Sequence, residues 1–286
     1  METHVTIREF VAEQTGSRVG HIERIQSLWS GYGELLRVQL EDDSSVIVKS
    51  VSPPAHAEQD VSYVRKCRSY EVEQTFYRAF APRCDASCRV ARPLGQRRKK
   101  HECLLVLEDL DAAGFAERHH DPIGVELDAC LAWLASFHAR FIEVAPEGLW
   151  KQGTYWHLAT RRDDLARIRD RALRQRAPEL DRLLREARFQ TIVHGDAKPD
   201  NFCFSRDGGS VAAVDFQYVG GGCGMKDVAY LLYGTTPKIE ARALDTYFTR
   251  LRSLCAVDVD ALEHEWRALY PVARDDFRRF LAGWRQ

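Results

Sequence analysis

The segment His194-Gly195-Asp196-Ala197-Lys198-Pro199-Asp200-Asn201, followed by Val214-Asp215-Phe216, constrains this chain more than any other. It sets out one carboxylate, an amide five positions on, and a second carboxylate at the end of an apolar run. Thr191-Ile192-Val193 and Phe202-Cys203-Phe204 flank the loop, and Val211 to Val214 leads into Asp215. Short apolar runs bounded by turn residues read as strands. Turn formation alone explains an isolated His-Gly-Asp. It does not explain all three side chains in this order. The set suits phosphoryl chemistry: Asp196 to align a hydroxyl and take its proton, Asn201 and Asp215 to hold magnesium ions that bridge phosphates.

With 286 residues the chain exceeds the usual size of one compact domain, so two lobes are expected. We place the smaller over residues 1–107 and the larger over 108–286. A formal net charge of −1 favours neither nucleic acid nor an anionic membrane as partner. Met1 to Phe10 lacks the apolar core of a signal peptide, and no run of about 18 apolar residues exists. A cytoplasmic protein with reduced, mostly buried cysteines is expected. Cys84 and Cys88 could join His101 on a metal, but no second Cys-x-x-Cys pair accompanies them, so a loop is the preferred reading.

Residues from about Ile22 to Val51 read as a three-strand meander, with Asp42-Asp43-Ser44-Ser45 as a turn. Gly31 and Gly33 sit at its first corner. They serve either as a hairpin turn or as a close backbone approach to phosphates. Lys49 ends the third strand. Asp60 to Phe80 reads as a helix whose apolar face carries Val72, Phe76, Tyr77 and Phe80. At about 100° per residue Glu73 lies within that face, whereas Glu71 lies opposite. An inward glutamate needs a cation, so Glu73 is the expected partner of Lys49. Arg97-Arg98-Lys99-Lys100 is expected in a solvated hairpin turn. Cys103 to Leu107 reads as a buried strand, after which Glu108-Asp109-Leu110 leaves the sheet.

Helices dominate from Pro122 onwards. Leu127, Leu131, Leu134, Phe137 and Phe141 repeat at helical spacing, and His138 beside them reads as a core histidine bonded to a neighbouring loop. Between Tyr155 and Arg188 arginines interleave with acids, the mark of solvated helix faces that can also frame a cleft. Gly220-Gly221-Gly222-Cys223-Gly224 reads as a flexible turn in preference to an anion nest. Asp227 begins a helix, where an acid can bond nearby backbone amides.

Taken in order, Ser69 to Tyr77, Leu105 to Leu110, Leu134 to Ala139, His194 to Asn201, Val214 to Gln217 and Asp227 to Leu232 resemble the kinase-like small-molecule phosphotransferases. This is the superfamily of aminoglycoside phosphotransferases and choline kinases. Within it the ecdysteroid kinase-like group is the nearest match. The resemblance implies a bilobal protein-kinase-like α+β fold, with a small antiparallel-sheet lobe covering ATP and a larger, mainly helical lobe. It implies that Lys49, braced by Glu73, holds the α- and β-phosphates. It also implies that the backbone from Glu108 to Leu110 meets adenine, with ATP and Mg2+ as cofactors and a small hydroxylated metabolite as acceptor. Lys198 follows the base closely; it either stabilises charge on the transferring group or is simply solvated. Gln217 stands where protein kinases carry the glycine of Asp-Phe-Gly, which argues against a flipping activation segment and a protein substrate. A non-catalytic sensor and an AMP transferase are the alternatives.

Overall fold

The computed structural model describes residues 2–28, 31–53, 61–99 and 102–284. Its smaller lobe runs through α1 (Glu2–Thr15), β1 (Val19–Ser27), β2 (Gly33–Leu40), β3 (Ser45–Val51), α2 (Val61–Ala79), β4 (Pro93–Lys99) and β5 (Glu102–Glu108). The five strands form one antiparallel sheet in the order β1-β2-β3-β5-β4. Side chains alternate between its faces. Val46 and Val48 of β3, with Leu36, Val38, Leu104 and Val106, pack against Ile7, Phe10 and Val11 of α1. The opposite face sends Leu105 and Leu107 into the core shared with Val72 and Phe76 of α2 and with Phe80 just after it. Lys49 pairs with Leu105 across β3 and β5 and shares that second face, so strand alternation alone aims it at α2.

Two differences from the sequence reading concern this lobe. Helix α1 was not anticipated, because its buried stripe among the described side chains is Ile7, Phe10 and Val11. The basic run is not a turn: Arg97, Arg98 and Lys99 lie within β4, while Lys100 and His101 fall outside the described residues. The Arg97 guanidinium sits 4.7 Å over the Phe10 ring, and Arg98 pairs with Glu71. Those contacts hold the chain extended.

The larger lobe contains α3 (Val125–Arg140), α4 (Arg162–Arg167), α5 (Arg171–Arg185), β6 (Thr191–Val193), β7 (Phe202–Phe204), β8 (Val211–Ala213), β9 (Gly220–Gly222), α6 (Met225–Leu231), α7 (Pro237–Arg252) and α8 (Val259–Trp284). Helix α3 is its axis, with Cys130, Leu131, Leu134 and Phe137 fully buried. Two short antiparallel pairs, β6 with β9 and β7 with β8, carry the loops at its top. The glycine cluster is therefore neither a flexible turn nor a nest. It is a strand, and a Cβ at Gly220 would lie 2.2 Å from the Trp150 carbonyl oxygen. Among the described residues no helix is long and apolar enough to cross a membrane.

Helix α8 closes the lobe through a buried ion pair. Arg279 is fully buried; its Nε and Nη2 donate to Asp276 Oδ1 at 2.9 and 2.8 Å, and Nη2 also donates to the Trp156 carbonyl at 3.1 Å. Phe277 and Phe280 meet Trp156 and Tyr155 edge-on at 5.0 and 5.1 Å. Removing one member of such a pair leaves a buried charge uncompensated. Asp276→Ala is expected to cost about 3–5 kcal/mol in urea unfolding. A loss below about 1 kcal/mol would show that water or another group replaces the carboxylate.

Candidate active site

A buried carboxylate shapes the loop that carries Asp196. Asp227, in the first turn of α6, accepts hydrogen bonds from the backbone N–H of His194 at 2.6 Å and of Gly195 at 2.9 Å. His138 Nε2 donates to the same carboxylate at 3.1 Å, and Tyr247 stands 2.7 Å from His138 Nδ1. Burial alone would raise the Asp227 pKa; the His138 hydrogen bond and the loop amides outweigh it and hold the group below the ordinary carboxylate value. Gly195 is at φ +81°, and a Cβ there would lie 2.1 Å from the Tyr218 carbonyl, so this corner accepts only glycine. His194 Nδ1 accepts the Asp196 N–H, and Nε2–H donates to the Val214 carbonyl at 3.0 Å. That histidine ties the Asp196 loop to the segment leading to Asp215. Burial pushes its pKa down and keeps it neutral.

The second half of the site comes from β3 and α2. Lys49 Nζ lies 2.7 and 2.9 Å from the two Glu73 oxygens and 3.5 Å from Asp215 Oδ1. Burial favours the neutral amine, but the carboxylates of Glu73 and Asp215 prevail and raise the Lys49 pKa. Glu71 instead faces Arg68 and Arg98. Asp215 holds φ +65°, a conformation that a non-glycine residue keeps only when its surroundings enforce it. The enforcement is visible on both sides. Phe216 stacks on Phe76 of α2 with centroids 3.8 Å apart. Gln217 Oε1 accepts from Lys66 Nζ at 2.9 Å and from Ser69 Oγ at 3.1 Å, both on α2, while Trp150 Nε1 donates to its carbonyl at 2.8 Å.

Asp196, Lys198 and Asp215 line one cleft of ≈ 680 Å³ between the lobes. Asp196 is nearly buried, and desolvation pushes its pKa up to about 7 against the opposing charge of Lys198. Asn201 Nδ2 donates to the Asp196 carbonyl at 2.7 Å and to Asp196 Oδ2 at 3.0 Å. Asn201, like Lys49 and Glu73, is not itself among the residues lining the cleft, and its amide oxygen accepts no hydrogen bond among the described residues. Among the described residues no three His, Cys, Asp or Glu side chains form a closed metal cage, for Cys84 and Cys88 as elsewhere. One carboxylate and one amide oxygen do fit magnesium, which takes its other ligands from phosphate and water. Gly31, Gly33, Glu108 and Leu110 do not line this cleft. A Cβ on Gly33 would lie 2.0 Å from the Ser50 carbonyl, so strand packing already requires that glycine; Gly31, at φ +70°, has open space around it. The Glu108 carboxylate is bound to Arg89 and to the Arg92 N–H. Leu110 is largely buried, and its N–H makes no hydrogen bond among the described residues.

Several cleft residues were missed by the sequence reading. Tyr230 lines the cleft beside Asp196, and its hydroxyl lies 3.4 Å from that of Tyr155. Tyr230 falls one helical turn after Asp227, so the spacing held a signal that was not used. Arg65, Lys66 and Arg161 gave none, because they are brought to the cleft only by docking of the lobes.

The loop clamp has a measurable pH signature. The folded-state pKa of Asp227 is depressed, so its stabilisation is complete above the unfolded carboxylate value near 4 and is lost as pH falls through the folded value. At pH 7 Asp227→Asn should lower unfolding stability by about 1.5–3 kcal/mol, the worth of hydrogen bonds to a charged group. The gap should close below about pH 4. An equal gap at pH 7 and about pH 3 would show that the loop does not depend on the charge.

Known proteins share this architecture. Amicoumacin kinase hAmiN, solved with AMP-PNP, Ca2+ and Ami, superposes with a TM-score of 0.60 at 18% identity, over 99% of this chain and 88% of its own. A putative fructosamine-3-kinase from Thermobifida fusca gives 0.55 at 18% identity, over 96% and 99%. Macrolide 2'-phosphotransferase MphH from Brachybacterium faecium gives 0.55 at 16% identity, over 94% and 89%. No curated protein matches the sequence. The phosphotransferase enzyme family (APH) matches residues 24–269, spanning both lobes and every part of the site. By that match the chain belongs to the phosphotransferase enzyme family, on a bilobal kinase-like fold.

Proposed function

We propose that this chain transfers the γ-phosphate of ATP to a hydroxyl of a small molecule. The observation that carries the reading is that Asp196 and Asp215 line one cleft, with Asn201 hydrogen-bonded to Asp196 and the Lys49–Glu73 pair 3.5 Å from Asp215. In this reading Lys49 holds the α- and β-phosphates, with Glu73 fixing its direction. Asn201 and Asp215 hold magnesium, which when bound neutralises charge on the phosphates. The open Leu110 N–H and the backbone at Glu108 receive adenine, and Gly31 and Gly33 lie over the phosphates. Asp196 accepts the proton as the acceptor oxygen bonds to Pγ and the bond from Pγ to the β-bridging oxygen breaks, releasing ADP. Desolvation makes that carboxylate a stronger base, and the Asn201 amide orients it. Lys198 would stabilise charge on the transferring group.

A small acceptor follows from the short path after Asp215. Gln217 is pinned to α2, and Gly220–Gly222 is already paired with β6. Protein kinases use a longer segment there as a platform, positioned by its own phosphorylation. We take Glu108 as the start of the larger lobe. Kinship with the ecdysteroid kinase-like group, and a cytoplasmic setting, rest on the sequence alone.

Incubation of the pure protein with labelled ATP and separate metabolite and protein pools tests the reading. Label in the metabolite pool with ADP released is expected. Label confined to proteins, or a product carrying AMP, would overturn it. Asp196→Asn should bind nucleotide normally yet turn over roughly 10²–10⁴-fold more slowly, the usual range for a general base. Asp215→Ala should lose the magnesium dependence of ATP binding in calorimetry. Unchanged metal dependence would remove Asp215 from the metal site.

A further inference from the structure

The far end of the cleft is basic. Arg65 and Lys66 of α2 share the lining with Arg161 and Arg167 of the larger lobe and, beside Asp196 and Asp215, with Asp163 and Asp164. Asp164 is committed, 3.1 Å from Arg167 and 3.7 Å from Arg161. Lys66 is spent on Gln217. Arg65 and Arg161 remain. Arg65 donates to the Thr160 carbonyl at 2.8 Å and to Ser62 Oγ at 3.3 Å, and has no carboxylate within 4 Å among the described residues.

Arg161 is the more telling of the two. It is only 7% exposed, and its Nε donates to the Tyr155 carbonyl at 2.8 Å. Its two terminal nitrogens make no hydrogen bond among the described residues. Its guanidinium is packed by Tyr155, Phe280 and Trp284, with ring centroids at 5.8, 5.5 and 5.0 Å. Burial and the neighbouring Arg65 both lower its pKa. Two guanidiniums lining one cleft, one nearly buried and matched only by Asp164 at 3.7 Å, suit a bidentate anion.

We infer that the acceptor carries an anionic group, a carboxylate or a phosphate, which binds between Arg65 and Arg161 while its hydroxyl points to Asp196. The inference rests on the proposed phosphotransfer and names the acceptor class for the same cleft. Arg65 belongs to the small lobe and Arg161 to the large one, so the bound anion draws the lobes together.

The test uses the full chain with magnesium and a non-hydrolysable ATP analogue, followed by thermal unfolding. Sodium sulfate and sodium glycolate are titrated against sodium chloride at matched ionic strength, sulfate standing for a phosphate group and glycolate for a hydroxy acid. Sulfate also stabilises proteins non-specifically, and that effect does not saturate at low concentration. A saturable rise with at least one probe is expected. Half-saturation should move at least ten-fold upward in Arg65→Gln and Arg161→Gln, and stay put in Arg169→Gln, an exposed arginine outside the cleft. Arg65 is partly exposed, so its variant remains readable if the Arg161 variant fails to fold. No saturable response in the wild type, or an Arg65→Gln titration equal to wild type, overturns the inference. The analogue's own shift is read first: its absence defeats the proposed phosphotransfer, while the anion titration is still read on the free protein. Labelled-ATP transfer to sugar phosphates, hydroxy acids, neutral polyols and amino sugars then separates phosphate from carboxylate. Transfer confined to the neutral or amino compounds overturns the inference.

Discussion

The stack of Phe216 on Phe76 is the contact on which the rest of the site depends. Phe76 belongs to the helix of the small lobe, and Phe216 follows Asp215 in the large one. Phe216 also lies against Phe137 and His194. One ring thus joins the helix bearing Glu73, the axis of the large lobe and the loop bearing Asp196. Aromatic pairs of this kind are worth about 0.5–1.5 kcal/mol beyond their buried area. Their larger effect here is geometric. Asp215 sits in a left-handed backbone conformation that its neighbours must impose, and the stack on one side and the Gln217 clamp on the other impose it.

What was legible in the sequence was what depends on local spacing. Lys49 could be placed on the third strand. The 3.6-residue period put Glu73, not Glu71, on the inner face, and Lys49 and Glu73 are found paired. The bilobal α+β class came from the resemblance of the ordered motifs, with two lobes expected from length. What was not legible depends on contacts between distant segments. The glycines at 220–222 have the composition of a turn, but their meaning lies in the backbone at Trp150 that presses against them. The helix at Glu2–Thr15 has too few apolar positions to announce itself, yet the sheet supplies the other half of its interface. Arg65 and Arg161 are ordinary arginines in sequence and become a pair only when the lobes meet.

The large lobe divides its charged groups by the dielectric around each. Asp196, Asp227 and His194 are buried, where charge is expensive, and each is held by a defined set of hydrogen bonds. Lys198 lies at the partly open side of the cleft. A partner that must deprotonate a hydroxyl is thereby kept dry, while one that meets a mobile phosphate keeps its freedom.

The open edges of the small sheet carry a further consequence. β4 ends the sheet, and it presents Arg97, Arg98 and Lys99 along its outer half. An unpaired edge is a template for another strand. If a second copy added itself there in antiparallel fashion, arginine would stand opposite arginine, and like charges directly across a strand pair are unfavourable. The opposite edge, β1, is mostly exposed and polar, with His21, Glu23, Arg24 and Gln26 along it. The run of basic residues thus works against a second copy joining the sheet at its β4 border.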